Sequence, residues 1–292
     1  MQLSDAGLPG LFHAADQVSL SAQRQFLLAS RLRLFFLIAA AATGAMSIQG
    51  ARGVDYAAVG TVAALVGAIL VEVWLLAERP ERRWYDGRAL AESAKTLAWR
   101  FAVHGAPFDS SIDSSTAERL LVEQLSALVR DAPTTAIAPG DGPPVTTLMR
   151  TLRAADFDQR REIYIRERVV GQRYWYSNKA QQNASQASRW RVGLLVIECM
   201  GVLAALFRAV GLLAIDLAGI VAALGAAGIA WLSIRQHESL GRAYSYAENE
   251  LAIAAIRLQE ISDDALWPVE VDNAEEAISR EHTMWRASRS TI

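Results

Sequence analysis

The sequence predicts an all-α membrane protein: four transmembrane helices as two repeated hairpins, with long helices extending into a cytoplasmic helical bundle. Three observations lead there. Four apolar stretches, 34–51, 56–77, 192–207 and 217–234, come as two close pairs. Arginines flank each pair on its outer sides. Elsewhere the apolar residues recur at helical spacing and nowhere alternate as a strand's would.

The first and fourth stretches hold 18 consecutive residues without a charge; the second holds 16 before Glu72, and Glu198 breaks the third. A hydrocarbon core of about 30 Å needs about 20 helical residues at about 1.5 Å each, so each stretch spans with help from its flanks. The alternative is a set of buried helices in a soluble protein. Four such runs in 292 residues would leave too little chain to cover them. Roughly 200 residues remain in water, enough for a soluble domain.

Charge sets the expected topology. Arg24, Arg31 and Arg33 precede the first span and Arg79, Arg82, Arg83 and Arg88 follow the second, with only Arg52 between. Arg189 and Arg191 precede the second pair, Arg235 and Arg242 follow it, and only Arg208 lies between. Positive charge stays on the cytoplasmic side. Both hairpin loops therefore face out, and the N-terminus, the middle segment and the C-terminus face in. The start of the chain has no signal-peptide pattern, since the first apolar run begins only at Leu34.

The two pairs are repeats. A shift of 156 residues lays Arg33 on Arg189, Arg52 on Arg208, Arg79 on Arg235 and Ala91-Glu92 on Ala247-Glu248. An even number of spans separates the units, so they lie parallel rather than inverted. Beyond span two the helical pattern continues to about Val103, interrupted at Pro80, which kinks the helix or marks its exit from the bilayer. Ile163 to Ser188 leads into span three without a breaker, and span four runs on to about Ile261. Ser115 with Glu118 reads as a capping box that opens a helix to about Arg130. The segment 131–144, with four prolines and two glycines, is a linker. Asp272 with Glu275 reads as the opening of a last amphipathic helix over 273–288, with Ile278, His282 and Trp285 on one face.

Little in the composition points to chemistry. A net charge of −2 argues against nucleic-acid binding. The single Cys199 lies inside the third apolar stretch, which excludes a disulfide framework and a cysteine metal site. The four histidines are scattered, and no nucleophile elbow, P-loop or dinucleotide fingerprint occurs. Asp263-Asp264 is an acidic pair of the kind that is usually solvated. The expectation is a protein that is not an enzyme, with no catalytic residue, metal or cofactor.

Candidate functional residues lie instead in the spans. A carboxylate at the depth of Glu198 costs several kcal/mol unless it is paired or hydrated. It is either a structural partner to a hydroxyl or arginine on a neighbouring helix, or a pore-lining group. Glu72, nearer the cytoplasmic end of span two, and Asp216, at the second hairpin, complete the set of candidate pore or gating carboxylates. Small residues recur every four positions at Gly60, Ala64 and Ala68, and again at Ala218, Ala222, Ala226 and Ala230. Such ladders let helix backbones approach closely, within or between subunits.

The flanks of the spans carry a second motif. Trp84, Tyr85, Arg88, Glu92, Lys95 and Trp99 follow span two, and Arg166, Gln172, Trp175, Tyr176 and Lys179 precede span three. Spacings of three and four put Arg88, Glu92, Lys95 and Trp99 on one helix face, where Arg88–Glu92 and Glu92–Lys95 can pair. Exposed pairs of this kind contribute only about 0.3–0.5 kcal/mol. The segment around 164–179 is therefore expected to pack on Trp84 and Trp99.

These flanks resemble the SLATT superfamily, two-transmembrane-helix modules whose helices extend into the cytoplasm. The resemblance covers a first unit over 12–130, a linker over 131–146 and a second unit over 147–290. It departs from the family after span four, where Ala247-Glu248 remains but the Trp/Arg/Lys pattern does not. It implies a homo-oligomeric, non-enzymatic effector of the bacterial inner membrane, pore- or channel-forming, in defence signalling. The partners implied are the lipid bilayer and a nucleotide-signalling or sensor protein. The alternative is a membrane anchor whose cytoplasmic bundle docks a partner protein.

The topology is directly testable. A cysteine at Ala209, in a background lacking Cys199, should be labelled by a membrane-impermeant maleimide from outside the cell. Labelling from the cytoplasmic side alone would reverse the orientation.

Overall fold

The computed structural model describes residues 3–46, 48, 53–132, 140–213, 215–262 and 264–287, with side chains described as far as Ser279. It is all-α: no β-strand runs among the described residues. Ten helices follow in order: α1 Gly10–Gly44, α2 Tyr56–Glu78, α3 Pro80–Ala102, α4 Ser114–Asp131, α5 Thr147–Arg153, α6 Phe157–Ile163, α7 Gly171–Ala209, α8 Leu217–Arg235, α9 His237–Glu260 and α10 Trp267–Ala287. A short 3₁₀ turn, Asp5–Gly7, precedes α1, and a π-helical segment, Tyr164–Val170, joins α6 to α7. The helices form two compact units. One holds Met1–Ala22, Glu81–Gln181 and Gly241–Ile292; the other holds Gln23–Pro80 and Gln182–Leu240.

The second of these units contains the apolar stretches of the four helices that, among the described residues, are long and apolar enough to cross a membrane. Their outer faces are bare: Phe35, Val62, Ile69, Leu70, Val192, Leu195, Val202 and Leu206 are all exposed, as lipid-facing residues must be. In the first hairpin, Asp55 caps α2 by accepting from the backbone N–H groups of Ala57 and Ala58. Thr43 and Thr61 hydrogen-bond through their hydroxyls at 2.9 Å, and Ala57, Ala64 and Ala68 are the buried positions of α2. A Cβ on Gly67 would lie 2.9 Å from Phe36, so glycine is what lets the two helices close. In the second hairpin, Gly228 plays that part, with Leu194 only 2.7 Å from where its Cβ would stand. The first ladder thus packs inside its hairpin. In the second, Ala222 and Ala226 are exposed.

In the spans, two helix boundaries differ from expectation. α1 ends at Gly44, short of the expected 51; Ala51 and Arg52 lie outside the described residues. The second span of each hairpin ends in a left-handed residue, Arg79 (φ 44°) and Gln236 (φ 50°), whose N–H still reaches back to Leu75 and Leu232. Pro80 explains the first break, because it disfavours helical geometry at the residue before it and is welcome at a helix start. The second has no proline, so the expected run from span four to Ile261 divides into α8 and α9 at a position that sequence does not mark.

The other unit is a helical bundle with a single core. Trp99, Phe101, Phe108, Leu121, Met149, Leu152, Tyr164, Tyr176, Leu251, Leu258 and Trp267 are all buried in it. Trp267 stacks edge-on against both Phe157 and Tyr164 and donates its indole N–H to the Val103 carbonyl at 2.6 Å. Tyr176 stacks on Tyr244. Arg153, 4 % exposed, donates to the Phe101 and Phe108 carbonyls at 2.9 and 2.8 Å, so a cation closes the C-terminal end of α3.

At the centre lies an ion pair. Glu275 of α10 is fully buried and accepts from Arg168 Nε at 2.9 Å and Nη2 at 2.7 Å, from Thr96 at 2.9 Å and from Tyr164 at 3.1 Å. Asp272 and Glu275 are therefore not an N-terminal capping pair. α10 begins five residues before Asp272, at Trp267, and Asp272 pairs with Arg100 instead. Ile278 is buried as expected, while the side chains of His282 and Trp285 lie outside the described residues. The cap of α4 is Asp113, which accepts from Ser115 and Thr116; Glu118 turns away to a forked pair with Arg150.

His104 supplies a pH test of this packing. It stands in the left-handed region (φ 62°), and its Nε2–H donates to the Arg153 carbonyl at 3.1 Å. Burial first, and then the cations of Arg153 and Arg160, push its pKa from the ordinary 6.5 down to about 4. The unfolded chain thus takes up this proton before the folded one does. The stability from a neutral His104 is complete above pH 6.5 and is lost as pH falls towards 4. His104→Asn keeps the left-handed backbone accessible and removes the titration. Thermal unfolding of the detergent-solubilised full chain should then depend less on pH between 7 and 4.5; an unchanged acid slope would exclude His104 as a cause.

Candidate functional site

The N-terminal turn and four helical segments of the bundle surround a charged cleft of about 990 Å³. The N-terminal turn supplies Leu3, Ser4 and Asp5, and α1 supplies Phe12 and Asp16. From α3 come Arg88, Glu92, Lys95 and Trp99, the face that spacings of four, three and four define. The π segment gives Arg166, Glu167 and Arg168, and α7 gives Gly171, Gln172 and Trp175. A π segment widens the helix locally and often marks a functional site.

Seven of the eleven motif residues expected from sequence therefore share one cavity: Arg88, Glu92, Lys95, Trp99, Arg166, Gln172 and Trp175. The segment around 164–179 does pack on α3, with Trp99 buried at 5.9 Å from Tyr164. The other four are placed differently. Trp84 stacks on Tyr85, whose hydroxyl donates to Glu81; Tyr176 is in the core, and Lys179 lies over the Trp175 ring. Among the charged and aromatic lining residues, Asp5, Phe12, Asp16 and Glu167 carry no mark in the sequence. Phe12 and Asp16 stand four apart on α1, a spacing that a search for paired helix faces could have found.

The cleft is charged throughout. Arg88 pairs with Glu92 at 3.1 Å, as their spacing predicts. Lys95 reaches across to Asp5 at 2.7 Å and lies 5.4 Å above the Phe12 ring. Arg166 meets Glu162 at 2.7 Å and Glu167 at 3.2 Å. The backbone N–H of Leu3 donates to Glu167, tying the N-terminal turn to the π segment. Burial raises the Asp16 carboxyl above its usual range; Arg88 opposes this, while Glu92 and Asp5 add to it. Arg168, 2 % exposed, presents Nε and Nη2 to Glu275, and its Nη1 has no hydrogen-bond partner.

The span carboxylates divide by environment. Glu72 pairs with Arg33 of the neighbouring helix at 2.9 Å. Asp216 caps α8, accepting from the Gly219 N–H at 3.2 Å, and pairs with Arg208. Glu198 is exposed partway along the third span, and nothing among the described residues pairs with it. No group of three or more His, Cys, Asp or Glu side chains among the described residues is placed to hold a metal ion. Asp264 lies 3.6 Å from Arg160, and Asp263 is outside the described residues.

Comparison with known proteins bears on the same two halves. Residues 9–161 match the family model of SMODS and SLOG-associating 2TM effector domain 3, and residues 164–285 match that of SMODS and SLOG-associating 2TM effector domain 1. Comparisons with curated proteins and with solved structures return no match. The division between the two matched regions falls at the start of the π segment, and each region holds one span hairpin. The chain belongs to the SLATT family, as two of its 2TM effector domains in tandem within one multi-pass membrane protein.

Proposed function

We propose that this membrane effector works as a homo-oligomer that opens a conducting path, acts without catalysing a reaction, and serves bacterial defence signalling from the inner membrane. In this reading the bundle and both termini face the cytoplasm, an orientation that the arginine asymmetry supports. The observation that carries this reading is Glu198. A carboxylate partway along a span, exposed on its own chain and unpaired among the described residues, is unfavourable in lipid by several kcal/mol. A second copy, or the water between copies, removes that cost.

Two further features support assembly. The alanines 222 and 226 leave a small-residue surface on α8 that its own hairpin does not use. Small residues facing outward from a span favour close helix contact in lipid, where dispersion and backbone approach drive association. Glu72 and Asp216, by contrast, are already occupied by Arg33 and Arg208, which leaves Glu198 as the carboxylate open to a conducting path.

Glu198→Gln keeps the shape and removes the charge. Reconstituted into liposomes, the variant should assemble to the same size as the parent protein and lose its preference for cations over anions. Identical flux and selectivity in the two proteins would remove Glu198 from the path. Failure of the parent protein to pass ions under any condition would favour an anchoring role.

A further inference from the structure

We propose that the cleft of the bundle is a binding site for a small ligand bearing a phosphate group and a flat ring, whose phosphate replaces Asp5 on Lys95. Three features of the cleft support this, independent of whether the spans conduct.

The first is the unsatisfied donor. Arg168 is 2 % exposed, and its Nη1, on the side of the guanidinium turned from Glu275, has no hydrogen-bond partner. A buried cationic donor left unpaired is costly, and it calls for an acceptor carrying negative charge. Arg168 is itself part of the cleft lining, so an anion in the cleft can supply that acceptor.

The second is the way Lys95 is held. Its present partner, Asp5, is 68 % exposed at the side chain and sits on a three-residue turn. The cleft carries four basic and four acidic side chains, so it does not attract anions by excess charge. Entry of an anion must therefore work by exchange, and Asp5 is the carboxylate whose release disturbs least. A phosphate offers more acceptor oxygens than the carboxylate it displaces, enough to meet Lys95, Arg166 and Arg168 Nη1 together.

The third is the mixed character of the remaining wall. Phe12, Trp99 and Trp175 bring aromatic surface, and Trp175 is only half-buried. Asp16 and Glu92 bring carboxyl groups to meet ring N–H or amino groups; burial raises the Asp16 carboxyl and the neighbouring Arg88 opposes it. Cations for a phosphate, an aromatic face for a ring and carboxylates for its donors match the parts of a nucleoside monophosphate. The volume of about 990 Å³ lies within the range that holds ligands of that size.

Isothermal titration of the full-length protein in detergent, with AMP, ribose 5-phosphate and adenosine as probes, tests the assignment. AMP should bind more tightly than either of the others. Lys95→Gln should weaken AMP by about tenfold, the loss of one charge-assisted hydrogen bond, and Asp5→Asn should tighten it by a similar factor by removing the competitor. If Lys95→Gln does not fold, Arg166→Gln at the exposed rim gives the same reading and should also weaken AMP. Ribose 5-phosphate binding as tightly as AMP would remove the ring from the proposal. No binding of AMP at millimolar concentration, or binding that neither charge variant alters, would overturn it. None of these outcomes depends on ion flux, so the site and the conducting role fail separately.

Discussion

The bundle depends on one buried carboxylate. Glu275 has no access to solvent and accepts from three residues on two helical segments: Arg168 and Tyr164 in the π segment, and Thr96 on α3. Taking a carboxylate and a guanidinium out of water costs several kcal/mol per ion, recovered only with good geometry and full hydrogen bonding. Here the pair is forked, and a hydroxyl on either side meets the carboxylate again. The arrangement leaves little freedom in how α10, α3 and the π segment can pack, because any slip strands a buried charge. It also sets the orientation of Arg168, whose Nη1 has no hydrogen-bond partner.

That constraint joins the two tandem domains. Thr96 belongs to the first domain, while Tyr164, Arg168 and Glu275 belong to the second. The cleft divides the same way: Phe12, Asp16, Arg88, Glu92, Lys95 and Trp99 come from one domain, and Arg166, Gln172 and Trp175 from the other. The bundle therefore forms as one body from both halves, and neither domain alone could build the cleft. The single helix α7 supplies Gln172 and Trp175 to the cleft and Glu198 to the third span.

Much of this was legible in the chain. The spans, the hairpins and the extended helices follow from length, hydropathy and helical spacing, which act locally and survive any tertiary arrangement. Face spacing also collected Arg88, Glu92, Lys95 and Trp99 correctly, because i, i+4 and i+7 positions share a side whatever they meet. The failures are equally specific. Glu275 looked like a capping residue because the pattern Asp272 to Glu275 fits a helix start, and only packing reveals that it is the core acceptor. Asp113 took the cap expected of Ser115, since either side chain can reach the same N–H groups. Gln236 bends the chain where no proline or glycine announces it. Lys95 found Asp5, a partner 90 residues away, which no local rule could name.

The most direct test of the account is a double-mutant cycle on the buried pair, using Arg168→Met, Glu275→Leu and the combined variant in the detergent-solubilised full chain. Each single change strands a buried charge and should lower unfolding stability by about 3–5 kcal/mol. The combined variant, with both charges replaced by apolar side chains of similar length, should recover most of that loss, giving a large coupling between the two positions. Simple additivity of the two losses, or single variants as stable as the parent, would contradict the claim that this pair organises the bundle.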